Sequence, residues 1–317
     1  MDGKAGAVCV ERRWQALSGW KIQIYTADGT AGRKDRPIVK NRMGAENNAS
    51  IKRTRGDLFH GTEDRKGRKM YKALALDLDG TLTNTKKEIT PYTRRTIIKA
   101  QQKGVKIILA TGRPTYGVAP IAEHLCLREY GGYILSYNGG RIINWQTGKV
   151  MYENLLERSV IPFLYNYAKK YGFTIITYHN EFVITENPYD EYVQKLALLN
   201  VMTIKKVDNF LSAIDFPVGK CMIVGEPIKL ATLENEMHND LKELLGVYRS
   251  EAYFLELVPK GIDKAQALSV LLKELGNKKE ELIAIGDGFN DISMIKYAGL
   301  GVAMANAQDI VRQNANF

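Results

Sequence analysis

Two aspartates stand one residue apart where an apolar run ends. The stretch "YKALALD" is typical of a short buried strand, and Asp77 and Asp79 lie in the "DLDGT" that closes it, with Gly80 directly behind. Alternate residues of an extended chain share one face, so both carboxylates can face the same space. Because like charges repel, the pair indicates either an acidic turn or a site that binds a cation. An EF-hand calcium loop is excluded, since its later acidic positions are missing and a strand precedes the pair.

A hydroxyl and a glycine follow a second apolar run. The run "VKIILA" predicts a buried strand, and Thr111 and Gly112 come next in "ATGRP", ahead of a predicted helix. Such a turn is well placed to hydrogen-bond an anion, because backbone N–H groups at a helix start are unpaired. The alternative is an ordinary strand-to-helix turn, which would have the same residues.

A lysine begins a later helix, in "PKGIDKAQAL". Lys264 at this position is unfavourable against the helix dipole, which indicates that an anion balances its charge. Simple surface exposure is the alternative, and Lys260 is a rival for the same role.

Two more carboxylates lie in a glycine-rich turn after a third apolar run. In "IAIGDGFNDISMI" the predicted strand is followed by Asp287, Asn290 and Asp291. An acidic surface turn is the alternative reading of this stretch too, although so many polar groups at one strand end favour a site.

The elements around these residues alternate between strand and helix, which predicts an α/β fold with a Rossmann-like parallel sheet and right-handed crossovers. In the first helix, Thr90 is the expected N-cap, Pro91 the first residue and Gly104 the terminator. Functional residues of such sheets lie beyond the carboxyl ends of the strands. The three strand ends above therefore converge on one edge.

Several carboxylates at one edge need compensation, because like charges in a low dielectric destabilise each other. A hard divalent cation supplies it, and Mg²⁺ prefers oxygen ligands while leaving positions for water and phosphate oxygens. The sequence therefore predicts a Mg²⁺ site that faces an anionic substrate.

At these residues the chain resembles the haloacid dehalogenase superfamily. "DLDGT", "ATGRP", Lys264 and "GDGFND" match its four motifs in order, and "SYNGG" at 136–140 is similar to the Cof-type phosphatase subfamily with a class IIB cap. The resemblance covers residues 70–317. It implies a phosphatase that removes phosphate from small phosphorylated metabolites and uses Mg²⁺.

The resemblance also implies a role for each matching residue. Asp77 is expected to be the nucleophile that forms an aspartyl-phosphate, and Asp79 the acid and base. Thr111, Gly112, Lys264 and Asn290 are expected to bind phosphate. The expected metal ligands are Asp77, Asp287 and the backbone carbonyl of Asp79. Asp291, Arg113 and Asn138 are expected to support them.

The spacing places a second domain inside the first. The 32 positions from Asp79 to Thr111 hold one helix and one strand, whereas the 153 from Thr111 to Lys264 leave room for an inserted α+β cap. The predicted domains are an N-terminal extension over residues 1–69, a core formed by 70–153 and 258–317, and a cap over 154–257. The cap is expected to set substrate preference.

The net charge of +10 is concentrated in the N-terminal extension. Residues 1–70 carry 16 basic and 8 acidic side chains, whereas the other 247 carry 29 and 27. The extension is predicted to be disordered, non-native or, less favoured, an arm for nucleic acid or another anionic surface. Met70 could begin the domain.

No apolar run is long enough to span a membrane and no signal peptide is recognised, so a cytoplasmic location is expected. Three scattered cysteines indicate neither a disulfide framework nor a zinc site. The sequence does not predict the oligomeric state.

Two other functions stay open at this point. A phosphotransferase such as a phosphosugar mutase would use the same aspartyl-phosphate, and a nucleic-acid-binding factor would use the basic extension. Members of the family usually continue past "GVAMANA" with a helix and a strand. This chain ends at Phe317, which is predicted to lie inside that helix. The missing end is expected to affect packing of the last core layer, and hence stability, more than the chemistry.

Overall fold

The computed structural model describes residues 62–63 and 69–317 of the chain. Most of the predicted N-terminal extension lies outside these residues, so its predicted disorder stays a prediction. The strands are β1 (Thr62–Glu63), β2 (Lys69–Met70), β3 (Ala73–Leu76), β4 (Lys106–Ala110), β5 (Tyr133–Ser136), β6 (Arg141–Asn144), β7 (Val150–Glu153), β8 (Thr174–His179), β9 (Phe182–Thr185), β10 (Thr203–Lys206), β11 (Cys221–Val224), β12 (Leu245–Glu251), β13 (Phe254–Pro259), β14 (Leu282–Gly286) and β15 (Leu300–Ala303).

The helices alternate with these strands along the chain. They are α1 (Pro91–Gln102), α2 (Thr115–His124), α3 (Leu127–Tyr130), α4 (Ile161–Lys170), α5 (Glu191–Leu199), α6 (Phe210–Ala213), α7 (Pro227–Leu241), α8 (Lys264–Glu274), α9 (Ile292–Tyr297) and α10 (Asp309–Gln313). No helix among the described residues has both the length and the apolar character needed to cross a bilayer.

The first sheet has seven strands in the order β15-β14-β3-β4-β5-β6-β7. Neighbouring strands from β15 to β5 are parallel, as predicted. The sequence did not indicate that β6 and β7 extend the sheet with antiparallel pairing, which makes it a mixed sheet. Antiparallel pairing follows from the tight "NGG" turn, because only a crossover could return the chain in parallel.

Both faces of the seven-stranded sheet are covered. Helices α1 and α2 contribute Ile97, Val118 and Ala122 to the apolar cluster on one face. Helices α8 and α9 contribute Leu268, Met294 and their neighbours to the cluster on the other. Burial on both faces explains why these strands are continuously apolar in the sequence. The α/β fold predicted from the sequence is confirmed.

The start of α1 follows the prediction. The Thr90 side chain accepts a hydrogen bond from the backbone N–H of Thr93, Pro91 is the first helical residue, and the helix ends ahead of Gly104. Gly104 has a φ of +87°, a conformation that side-chain-bearing residues rarely adopt.

The second sheet has six strands in the order β10-β9-β8-β11-β13-β12. Only β9 and β10 pair in parallel. Residues of α4 and α7 cover one face, while α5 packs on the other beside Tyr178, Met222 and Phe254. This sheet comes from the stretch predicted as the cap, although β13 extends two residues beyond position 257. The domain boundaries themselves stay a prediction.

The end of the chain differs from the prediction. The prediction that the chain stops inside a helix is wrong, because α10 ends at Gln313. The following residues turn back to β15, where the backbone N–H of Ala303 donates to the carbonyl of Phe317 at 2.8 Å. Val311 of α10 is buried against Ile295 and Ala307.

Candidate active site

Asp77 lies directly after β3 and continues its pairing. Its backbone N–H donates to the carbonyl of Ile285 on β14 at 3.0 Å, and its side chain is almost fully buried. The pKa of Asp77 is raised to about 7, mainly by burial; Lys264 opposes this rise, and the nearby charges of Asp291 and Asp287 add to it. A buried carboxyl group among other carboxyl groups therefore needs a cation to stay ionised.

Lys264 provides one such positive charge. It begins α8 after Asp263, whose side chain caps the helix by accepting from the N–H of Gln266 at 3.0 Å. The Lys264 Nζ donates to Asp77 Oδ1 at 2.8 Å, to Asp291 Oδ1 at 2.6 Å and to the carbonyl of Ala110 at 2.9 Å. Burial opposes its charge, but the two carboxylates outweigh this effect and raise the pKa of Lys264. The ammonium group remains charged.

The rival lysine does not reach this cluster. Lys260 Nζ pairs with Glu243 at 2.7 Å, and more than half of its side chain is exposed. The structure therefore brings Lys264, and not Lys260, beside the aspartates.

Asp291 holds the cluster together rather than offering a free carboxylate. Its Oδ1 accepts from Lys264, and its Oδ2 accepts from the backbone N–H groups of Asp287 and Gly288 at 3.0 and 2.9 Å. Gly286 permits this turn, because a Cβ there would lie 2.4 Å from the Cβ of Asp291. These contacts lie beside Lys264 and the Asp287 turn, and the supporting role expected for Asp291 stays a prediction.

Asp287 faces Asp77 across the strand ends. Carboxylate oxygens of Asp77, Asp287 and Asp291 all lie within 4.8 Å of one another. Burial raises the pKa of Asp287, and the Asp291 charge adds to the effect, while a hydrogen bond from Thr81 opposes it. These three carboxylates form a group that could hold a divalent cation. This all-oxygen donor set fits Mg²⁺.

Two further residues orient Asp287, and the sequence did not single them out. Thr81 Oγ1 donates to Asp287 Oδ1 at 2.7 Å. Asn306 Nδ2 donates to the carbonyl of Gly80 at 3.0 Å and to Asp287 Oδ2 at 3.2 Å. Gly80 has to be glycine here, since its φ is +86° and a Cβ would lie 2.2 Å from Asp287 Oδ2. In the sequence, Asn306 is the one polar side chain of the otherwise apolar "GVAMANA", and this could have indicated such a contact.

Asp79 is held by two cations. Arg113 donates from Nε to Oδ2 at 2.7 Å and from its terminal nitrogen to Oδ1 at 2.6 Å, and Lys87 Nζ donates to Oδ1 at 2.7 Å. Burial alone would raise the pKa of Asp79, but the hydrogen bonds and charges of Arg113 and Lys87 lower it below its ordinary value. Asp79 is thus kept ionised in this arrangement. Of its two partners, Lys87 was not singled out from the sequence.

The remaining predicted residues line the same edge. Thr111 is buried after β4, and its carbonyl accepts from the backbone N–H of Asn138. The Asn138 side chain accepts from Asn290 at 2.9 Å and donates to the Tyr248 hydroxyl of β12 at 3.2 Å. Gly112 allows this close approach, because a Cβ there would lie 3.1 Å from Asn138 Nδ2.

The second sheet closes one side of a cavity of about 230 Å³ above these groups. Its contribution includes Tyr178, Lys220, Met222 and Glu256. The sequence did not identify Lys220 or Glu256. The signal was nevertheless present, because each is a charged residue inside an apolar run, "VGKCMIV" and "FLELV", just as Asp77 is.

Comparison with protein families identifies this arrangement. The family model of haloacid dehalogenase-like hydrolases matches residues 74–317. Among curated proteins, YxeH of Bacillus subtilis is 34% identical over 255 residues, covering 78% of this chain and 92% of that protein. The 5-amino-6-(5-phospho-D-ribitylamino)uracil phosphatase YcsE of the same organism is 30% identical over 248 residues, covering 78% and 88%.

Solved structures are similar over the same part of the chain. A haloacid dehalogenase-like hydrolase from Bacteroides thetaiotaomicron is 54% identical, with a TM-score of 0.76, and covers 78% of this chain and 92% of its own. A sugar phosphatase of haloacid dehalogenase subclass IIB is 25% identical, with a TM-score of 0.65, and covers 77% and 92%. These similarities agree with the subfamily that the sequence motifs indicated.

Proposed function

The chain belongs to the haloacid dehalogenase-like hydrolases, and from this premise we propose that it is a Mg²⁺-dependent phosphatase that hydrolyses small phosphomonoesters through Asp77. The observation that carries the proposal is the contact of the buried Lys264 ammonium with Asp77 and Asp291, while Asp287 faces the same carboxylates. A nucleophilic carboxylate beside a fixed positive charge and a cation site is what phosphoryl transfer requires.

In the first step, a carboxylate oxygen of Asp77 forms a bond to phosphorus while the ester P–O bond breaks. The leaving oxygen keeps the bonding electron pair and takes a proton from Asp79. This step therefore requires a protonated Asp79 that has left Arg113 and Lys87, because those two cations keep it ionised in the arrangement described above. In the second step, a water oxygen attacks the aspartyl-phosphate, Asp79 takes the water proton, and the bond between phosphorus and Asp77 breaks. The products are an alcohol and inorganic phosphate, and both aspartates return to their starting state.

The other groups bind and neutralise the phosphoryl group. Lys264 and Thr111 flank Asp77 at the strand ends, and Asn290 and Gly112 line the adjacent cavity wall. Mg²⁺ held by Asp77, Asp287 and the carbonyl of Asp79 would neutralise charge on the phosphoryl oxygens. Positioning and charge neutralisation supply most of the acceleration in this reaction class.

The named relatives support a sugar-type substrate. YcsE is named for a phosphorylated ribitylamino compound, and the subclass IIB enzyme is a sugar phosphatase. We therefore assign sugar phosphates and similar metabolites as the substrate class of this chain.

The first test is the substitution Asp77→Asn. We expect phosphate release from p-nitrophenyl phosphate and from glucose 6-phosphate to require Mg²⁺, and to fall by at least about 10⁴-fold in this variant, because the nucleophile is lost. Lys260→Met, outside the cluster, is the matched control. Full activity in Asp77→Asn would refute the assignment. Chromatography of the products would reveal a mutase, since an isomer would then replace free phosphate.

The second test separates the two duties of Asp79. In Asp79→Asn we expect hydrolysis of glucose 6-phosphate to fall about 10²- to 10⁴-fold. Hydrolysis of p-nitrophenyl phosphate should fall less, since nitrophenolate leaves without a proton. Steady-state kcat for both esters is the measurement. Equal losses for the two esters would mean that Asp79 does not protonate the leaving group.

A further inference from the structure

The turn that follows β5 has an unusual backbone. Tyr137, Asn138 and Gly139 of the stretch "SYNGG" have consecutive positive φ values of +54°, +56° and +104°. Glycine adopts this left-handed region freely and asparagine tolerates it, whereas Tyr137 is strained there. Backbone strain persists only where the surrounding contacts impose it, and it is most frequent at functional sites. The contacts of this turn therefore indicate a function.

One side of the turn is fixed against the strand ends of the first sheet. The backbone N–H of Asn138 donates to the carbonyl of Thr111 at 2.9 Å. Gly139 packs on the carbonyl of Asp263, directly before Lys264, and a Cβ on Gly139 would lie 2.6 Å from that oxygen. The turn thus contacts the backbone at two of the positions from which phosphate-binding side chains are expected.

The other side of the same turn touches the region of the second sheet. A Cβ on Gly219, which lies ahead of β11, would lie 3.2 Å from the Tyr137 ring. Asn138 Nδ2 donates to the hydroxyl of Tyr248, on β12, at 3.2 Å. The turn therefore lies between the two sheets and contacts both.

The side chain of Asn138 connects the two sides. It is buried, and its Oδ1 accepts from Asn290 Nδ2 at 2.9 Å while its own Nδ2 donates to Tyr248. One N–H of the Asn290 amide is thereby directed at Asn138, and the second is left for another acceptor. Asn138 and Asn290 line the cavity together with Asp77, whereas Tyr248 is not among the described residues that line it.

Tyr248 keeps its hydroxyl proton. Burial raises the pKa of Tyr248, and the charge of Glu256, its partner in the pairing of β12 with β13, adds to the effect, while the hydrogen bond from Asn138 opposes it. A neutral hydroxyl outside the cavity lining supplies neither charge nor proton transfer to the reaction. Its effect on the site is therefore exerted through Asn138.

We propose that Tyr248 is a positioning residue for phosphoryl transfer, because through Asn138 it holds the Asn290 amide in the orientation that binds the phosphoryl group. A binding group is held precisely only when further hydrogen bonds lock its own side chain. A residue of the second sheet then acts on the part that all substrates share, not on the part in which they differ. This inference rests on the proposed phosphatase function and adds a residue whose loss weakens every ester alike.

The first experiment removes only the Tyr248 hydroxyl, in the full chain with Mg²⁺. In Tyr248→Phe we expect kcat/KM to fall about three- to tenfold, by the same factor for p-nitrophenyl phosphate and for glucose 6-phosphate, as for one lost hydrogen bond. The inhibition constant of inorganic phosphate, which has no leaving group, should rise as well. Tyr165→Phe is the matched control and should behave as the parent, because the Tyr165 hydroxyl bonds to Glu186 at 2.9 Å, away from the cavity.

The second experiment tests whether Tyr248 acts through Asn138. Asn138→Gly removes the side chain, and glycine tolerates the φ of +56° at this position. We expect kcat/KM for both esters to fall about tenfold to a hundredfold, because the Asn290 amide is then free to turn. Adding Tyr248→Phe to Asn138→Gly should cause no further loss, since the hydroxyl has no amide left to hold. Thermal unfolding checks that each variant is folded.

Three results would overturn the inference. They are unchanged kinetics in Tyr248→Phe, a changed ratio between the two esters with an unchanged inhibition constant of phosphate, and an equal further loss when Tyr248→Phe is added to Asn138→Gly. The second result would mean that Tyr248 acts on the leaving group. Absence of Mg²⁺-dependent hydrolysis of p-nitrophenyl phosphate by the unsubstituted chain would instead refute the proposed function itself.

Discussion

Two buried lysines, one in each sheet region, divide the candidate site between them. Lys264 donates to two carboxylates and to the carbonyl of Ala110, whereas Lys220 donates to one carboxylate and to the carbonyl of Gly112. Both are less than a twentieth exposed. The bonding patterns are similar, but Lys264 faces Asp77 and Lys220 faces the space above it. The difference suggests that one lysine serves the phosphoryl group of every substrate and the other serves only part of the substrate.

The largest expected difference between the two lysines is in how their substitution changes kcat/KM. Lys264→Met should lower kcat/KM by about a thousandfold for every ester, including p-nitrophenyl phosphate, because the positive charge beside Asp77 is lost. Lys220→Met should lower it selectively for sugar phosphates such as glucose 6-phosphate. The measurement is kcat/KM for both variants on the same set of esters. Parallel losses over the whole set in Lys220→Met would remove the distinction between the lysines.

The next difference between the two lysines is in how much their substitution lowers the free energy of unfolding. Lys264→Met leaves Asp77 and Asp291 without their shared cation, so we expect a loss of about 3–5 kcal/mol in the free energy of unfolding without Mg²⁺. Lys220→Met leaves only Glu256, and we expect about 1–3 kcal/mol. Urea denaturation of the two variants and of the exposed-lysine control Lys170→Met measures both losses. A larger loss for Lys220→Met would contradict the view that the Lys264 cluster is the more tightly coupled of the two.

The two lysines also differ in how far the sequence could predict them. Lys264 begins a helix and belongs to a set of strand-end residues whose spacing is typical of a known family, so its neighbourhood followed from the parallel sheet. Lys220 lies ahead of a strand in an inserted sheet. Its partner, Glu256, is 36 positions away in the chain, and only the antiparallel register of β11 and β13 brings the two together. That register depends on tertiary packing, which a single sequence does not specify.

The same limit applies within the first sheet. The strand ends that carry Asp77, Thr111 and Asp287 were predictable, because each follows an apolar run. The antiparallel strands β6 and β7 and the contact of Asn306 with Asp287 were not. Asn306 is 19 positions from Asp287 and 226 from Gly80, and it reaches both only because β15 lies beside β14. Polar residues of loops carry no periodic signal that would reveal such contacts.

The smallest effect is expected on substitution of Asn306, a neutral side chain that contacts the proposed metal ligand Asp287. Its amide donates to Asp287 Oδ2 and to the carbonyl of Gly80, so it fixes a proposed Mg²⁺ ligand without touching substrate. In Asn306→Ala we expect the Mg²⁺ affinity to fall about 10- to 100-fold, because partners of metal ligands orient them. The ratios among the esters should stay as in the parent, since Asn306 lies outside the cavity wall formed by the second sheet.

Titration calorimetry of the protein with Mg²⁺ measures that affinity directly, and kcat at saturating Mg²⁺ shows how much activity a full site recovers. The matched control is Asn314→Ala, whose side chain donates to the carbonyl of Ile310 in the preceding helix α10. A normal Mg²⁺ affinity in Asn306→Ala would mean that Thr81 alone is enough to orient Asp287. A changed preference among the esters would mean that Asp287 and the side of the cavity that carries Lys220 are coupled. The separate roles expected for Lys264 and Lys220 would then be wrong.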